Sequence, residues 1–285
     1  MKASVWKVLA TAAVATIAAT SAFAADMAPR YTKAPPIEVW NWTGFYVGGN
    51  VGYSWGRSST DVTYYNTVTG LPIAPPPGSI VNGTFSMDGV IAGGQAGYNW
   101  QTNNWVWGLE GDLQWSDEKG RGNFLCSGTV VGGPCLPALT FLPGGAAGTG
   151  LALDQHLEWF GTLRARGGIL ANPKTLLYVT GGLAFGSIKS TATLAGFNNL
   201  GGGIVAIGSN ADVRAGWTVG AGAEFMFSKN WSGKVEYLYM DLGRFENTYV
   251  LPAGLIGVRT SSSFTDHIAR VGINYHFDRA VVAKY

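Results

Sequence analysis

From Thr43 onward, apolar and polar residues alternate with a period of two, the signature of strands and not of helices. In Phe45–Trp55 one face carries Phe45, Val47, Val51, Tyr53 and Trp55, and the other Tyr46, Gly48, Asn50, Gly52 and Ser54. The alternation recurs in Val90–Trp100, Trp105–Trp115, Leu157–Ile169, Thr175–Gly186, Gly216–Phe227, Trp231–Met240 and Ile268–Phe277. Eight strands are predicted. Short turns follow the second, fourth and sixth, at Gln101–Asn104, Ala171–Lys174 and Ser228–Asn230. Long loops follow the first, third, fifth and seventh, at Arg57–Gly83, Ser116–His156, Ser187–Ala215 and Asp241–His267. This is the layout of an all-β, antiparallel up-and-down transmembrane β-barrel, with periplasmic turns and long extracellular loops. An even number of strands places both termini on the periplasmic side.

Charge placement decides which way the faces point. A soluble barrel buries its apolar face, whereas a membrane barrel turns that face to lipid. The polar faces hold Glu110, Asp112, Glu158, Arg164, Arg166, Glu224, Lys234, Glu236 and Arg270, and the apolar faces of the central segments hold no charge. A cation facing lipid at mid-membrane would cost about 2–4 kcal/mol, so its absence there fits a membrane barrel. Buried unpaired ions are costly, so the inward acids and bases are expected to pair across the lumen. Eight strands leave an interior just wide enough for side chains. The reading is therefore a plugged barrel, with an ion path along the same charges as its alternative. Aromatic residues gather at strand ends: Trp100, Trp105, Trp231, Tyr275 and Phe277 toward the turns, and Tyr53, Trp55, Trp115 and Tyr239 toward the loops. Two such girdles mark the membrane–water boundaries.

Composition narrows the class further. Met1–Ala24 has a basic start (Lys2, Lys7), an apolar run from Val8 to Ala19 and Ala22-Phe23-Ala24 at its end, the parts of a cleaved secretory signal. Residues 25–42, with Pro29, Pro35 and Pro36, read as a periplasmic leader, residues 43–277 as the barrel and residues 278–285 as a tail. Only 13% of residues are charged, and the formal charge of +2 falls to about zero without Lys2 and Lys7. No basic surplus argues for nucleic acid. The outer-membrane lipid and the barrel-assembly machinery are the implied partners, with host or environmental ligands open to the loops. Cys126 and Cys135 suit an oxidising export route and could close a small disulfide loop.

Catalytic and cofactor signals are weak. The Gly-rich runs at Gly144–Gly150 and Gly201–Gly203 lack a phosphate-loop context, and no serine sits in a G-x-S-x-G setting. No enzyme activity, metal or cofactor is predicted. His156 and His267, at the outer ends of strands four and eight, keep open a haem-ligand reading against one of two solvated histidines.

Several segments also resemble a known family. Trp42-Thr43-Gly44-Phe45-Tyr46-Val47-Gly48-Gly49 opens the barrel in the way of the small outer-membrane β-barrels of rhizobial and related bacteria, the outer-membrane immunogenic or surface-antigen proteins. The resemblance continues in order through Gly93–Gln101, Trp107–Asp117, Glu158–Gly168, Tyr178–Gly186, Gly216–Gly243 and His267–Phe277. It implies an OmpA-type eight-stranded barrel that supports envelope integrity and is displayed at the surface, with some relatives porin-like and some haem-binding. It also implies an aromatic assembly signal at the last strand, here Tyr275 and Phe277. Asp278–Tyr285 after Phe277 departs from that pattern. Three readings follow: a structural envelope protein, a small porin, and a surface receptor for haem or a host ligand.

Overall fold

The computed structural model describes residues 40–71, 80–127, 148–198, 201–250 and 256–277. Eight antiparallel strands close into one ring: β1 (Gly44–Asn66), β2 (Ile80–Thr102), β3 (Trp105–Ser127), β4 (Gly148–Asn172), β5 (Thr175–Asn198), β6 (Gly201–Met226), β7 (Trp231–Val250) and β8 (Ile256–His276). Each strand pairs with the next, and β8 returns to β1 with Val51 opposite Val271. The short connections, Gly44 and His276 share one end of the ring, termed the near end. One of these turns is the tight Asn103-Asn104 pair, where Asn103 takes a left-handed φ of 54°, a conformation its side chain tolerates. The signal segment, the leader up to residue 39, Cys135 and the tail lie outside the described residues, and with Cys135 the proposed disulfide.

The strands are about twice the predicted length. They run to between 20 and 26 residues, where roughly 9–11 tilted residues cross a bilayer. At about 3.4 Å per residue, a strand of 23 residues extends close to 80 Å. Much of what the sequence assigned to long loops is therefore strand. Within the expected loop Ser187–Ala215, β5 continues to Asn198 and β6 already begins at Gly201.

The physical reason is an inversion of polarity along each strand. In the near half the outer face is apolar, as in Val47, Val51, Leu109, Leu113, Val179, Val235, Val271 and Ile273, all exposed. Beyond Trp55, Trp115 and Tyr239 the outer face turns polar, with Arg57, Asp117, Lys119, Asp154 and Lys189. The inner face changes in the opposite sense. Met87, Leu151, Leu153, Leu157, Phe160, Ile188, Leu238, Met240, Phe264 and Ile268 are buried in one cluster inside the far half. The barrel thus has a lipid-facing half and a half built like a soluble barrel. The period of two runs through both, but the apolar face changes sides.

Two irregularities matter for the site. The register of β4 shifts against both β3 and β5 around Glu158. The extra residue flips the parity of β4, as bulges do, so Leu157 points into the barrel and not to lipid as its spacing predicted. The second irregularity lies between β6 and β7, whose ladder ends at Trp217 opposite Asp241.

Candidate functional site

The lumen of the lipid-facing half is filled by ionised side chains. Eight of the nine predicted charges meet there: Glu110 and Asp112 from β3, Arg164 and Arg166 from β4, Glu224 from β6, Lys234 and Glu236 from β7, and Arg270 from β8, all buried. Period two puts each on the inward face, and ring closure makes those faces converge. Glu158 is the exception. Displaced by the bulge, it is only half-buried and makes no ion pair among the described residues. Its loss leaves four carboxylates against four cations, so the cluster is formally neutral.

The pairing is dense. Arg164 reaches Glu110, Asp112 at 2.9 Å and Glu236 at 3.0 Å. Lys234 Nζ donates to the two Glu110 oxygens at 2.9 and 3.1 Å. Arg270 donates to Glu236 at 2.7 Å and to Asp112 at 3.0 Å. Arg166 binds Glu224 at 3.0 Å and lies between the Tyr46 and Tyr178 rings, 4.7 and 5.2 Å from their centroids. Neutral donors take up further carboxylate lone pairs: Tyr46 on Glu110, Tyr178 on Glu236, Thr162 on Asp112 and Asn274 on Glu224. A buried ion is tolerable only when paired and hydrogen-bonded, and these carboxylates meet both conditions.

Apolar layers close the cluster at both ends. At the near end Trp42, Val106, Leu176, Tyr178 and Met226 pack together. Trp42, which the sequence placed in the leader, is fully buried, and its indole donates to the Pro173 carbonyl at 3.2 Å. On the far side Phe160, Leu238 and Ile268 begin the apolar core. Past Ile268, at the level of the core residues Met240 and Phe264, lies an acid pair that the sequence reading missed, because Glu118 and Asp266 fall within its expected loops. Both are fully buried. Gly56 gives them room, since a Cβ there would lie 3.1 Å from Glu118 and 3.2 Å from Asp266. His276, also missed, lies in the near-end lumen, 3.4 Å from Glu224.

The remaining candidates stay apart. His156 on β4 pairs in register with Lys119 and Lys189, whereas His267 on β8 stacks on Trp55 and accepts or donates a 2.6 Å bond with the Tyr237 hydroxyl. β4 and β8 stand on opposite sides of the ring, so no haem could take both imidazoles. Among the described residues there is no cluster of three His, Cys, Asp or Glu side chains able to hold a metal. Tyr275 lies at the end of β8 and Phe277 directly follows the strand; Phe277 N–H donates to the Phe45 carbonyl at 3.0 Å, and the Tyr275 and Phe277 rings meet edge to face.

Comparison with known proteins identifies the family. The family model described as outer membrane protein beta-barrel domain matches residues 10–277. The chain is 35% identical to the 31 kDa outer-membrane immunogenic protein of Brucella melitensis, covering 93% of this chain and 98% of that protein. It is 28% identical to a 22 kDa outer membrane protein of Rhizobium leguminosarum bv. viciae, covering 86% and 82%. Among solved structures it is similar to OprG of Pseudomonas aeruginosa, at 12% identity and a TM-score of 0.48, covering 85% of this chain and 100% of that one.

Proposed function

The chain belongs to the outer membrane protein β-barrel domain family, and from that premise we propose that it is a structural, non-catalytic envelope protein whose barrel anchors a folded, surface-displayed half. The near end, with the start of β1, the end of β8 and the short turns, faces the periplasm. The far half stands outside the cell, and the lipid wall and the assembly machinery are its standing partners. One observation carries the reading: the neutral cluster of eight buried charges fills the lumen between two apolar layers. Moving a hydrated ion along this axis would mean breaking buried pairs and crossing an apolar core. Both steps cost several kcal/mol.

Single-channel recording of the refolded chain in planar bilayers tests this. The expected outcome is a quiet membrane with no reproducible conductance steps. Steady openings of fixed size would replace the structural reading with that of a small porin.

A further inference from the structure

The far portions of β6 and β7 do not pair with each other. Their ladder stops at Trp217 opposite Asp241. Yet β5 stays paired to β6 as far as Asn198 opposite Gly201, and β7 to β8 as far as Val250 opposite Gly257. Beyond the ladder's end, side chains bridge the two strands where backbone does not. The Tyr249 ring lies against Gly208, which has no side chain to obstruct it. The Arg214 guanidinium stands 5.6 Å from the Phe245 ring centroid.

A cavity of about 240 Å³ opens at this split. Leu151, Ala192, Leu194 and Val258 line it from the apolar core, with Ile207 from β6 and Tyr249 from β7. It is a side entrance to the interior of the far half. Ser209, Asn210 and Thr248 add polar groups to the lining. The Tyr249 and Ser190 hydroxyl oxygens are both buried, and neither has a hydrogen-bond partner among the described residues. The two ladder edges add backbone N–H and C=O groups that no strand pairs. Outside, β6 exposes Ile204, Ile207 and Val213, while Lys189 is exposed on the neighbouring β5.

We propose that the β6–β7 split binds a small molecule with an aliphatic body and one hydrogen-bonding group, of the kind a medium-chain alcohol represents. The volume falls below the roughly 300–1,000 Å³ of pockets for larger organic ligands, so the occupant is small. Leu151, Ala192, Leu194, Ile207, Val250 and Val258 form the apolar part of the lining, so its body is apolar. The unpartnered Tyr249 hydroxyl on the cavity wall supplies the polar anchor. A strand added from another chain would need both edges clear along their length, and Tyr249 and Arg214 cross between them.

Photolabelling of the refolded full-length chain in phospholipid vesicles with a diazirine-bearing hexanol tests the site. Saturable labelling is expected at Ile207–Asn210 and Thr248–Val250, displaced by excess unlabelled hexanol. Ala192→Leu, which fills the cavity, should reduce that labelling about tenfold while the heat-dependent gel shift of a folded barrel persists. Should Ala192→Leu fail to fold, displacement by hexanol in the unaltered chain decides the matter. Labelling spread along the lipid-facing wall, or insensitive to excess hexanol or to Ala192→Leu in a folded barrel, would overturn the proposal.

Discussion

Arg164 touches three of the four lumen carboxylates, Glu110, Asp112 and Glu236, and its Nε donates to Thr162 as well. Removing one partner of a buried pair leaves the others uncompensated, at a cost of about 3–5 kcal/mol. Arg164→Met is therefore expected to lower the urea midpoint of the refolded barrel strongly, read from the heat-dependent gel shift or tryptophan fluorescence. Glu158→Gln provides the contrast. The same strand carries this acid only three inward positions away in the sequence pattern, but the bulge takes it out of the cluster. Its change should stay within about 0.5 kcal/mol, as for an ordinary surface substitution. Equal effects of the two variants would mean that the cluster is not the unit described above.

At the scale of elements, the inversion of polarity lets one strand serve two solvents. β7 shows it most directly. Val235, Tyr237 and Tyr239 face outward beside inward Lys234 and Glu236; farther on, Leu238, Met240 and Leu242 point in and Asp241 and Arg244 lie outside. A hydrophobic face against lipid and a hydrophobic core against water obey the same rule of removing apolar surface from water. The split between β6 and β7 has a dynamic consequence. The far portion of β6, residues 201–216, is laddered on one side only, whereas β5 over 187–198 is laddered on both. Backbone with fewer cross-strand bonds opens at lower cost. Hydrogen exchange should accordingly be faster in β6 over 201–216 than in β5 over 187–198, and equal protection would argue that the split closes in solution.

For the whole molecule, the proposal of display over conduction rests on the filled, neutral lumen and the long far half. The proposed orientation can be checked in intact cells on a Cys126→Ser, Cys135→Ser background. A membrane-impermeant maleimide should label Ser59→Cys in the far half of β1. Asn104→Cys, in the near-end turn, should react only after the outer membrane is permeabilised. The opposite pattern would invert the barrel. Much of this architecture was legible beforehand. The strand count, the closed ring and eight lumen charges followed from a face that is apolar at every second residue, as Arg164 and Arg166 flank outward Ala165. Less legible was the far half, although Leu151, Leu153 and Leu157 kept the spacing. Glycine, serine and threonine dilute its pattern, and its apolar face points the other way. Trp42 was assigned to the leader because no alternation surrounds it, yet it plugs the near end.

The sequence by itself determined what is local: eight amphipathic strands, an uncharged lipid-facing stretch in each, and the set of ions that must turn inward. Periodicity carries that information because a strand's faces depend only on its own residues. Tertiary structure alone decided what depends on register. Lys234 meets Glu110 across 124 residues of chain. The bulge at Glu158 balances the lumen at four charges against four, and β6 parts from β7 where an apolar cavity opens. These outcomes arise when distant strands close into a ring, and no stretch of the chain holds them alone.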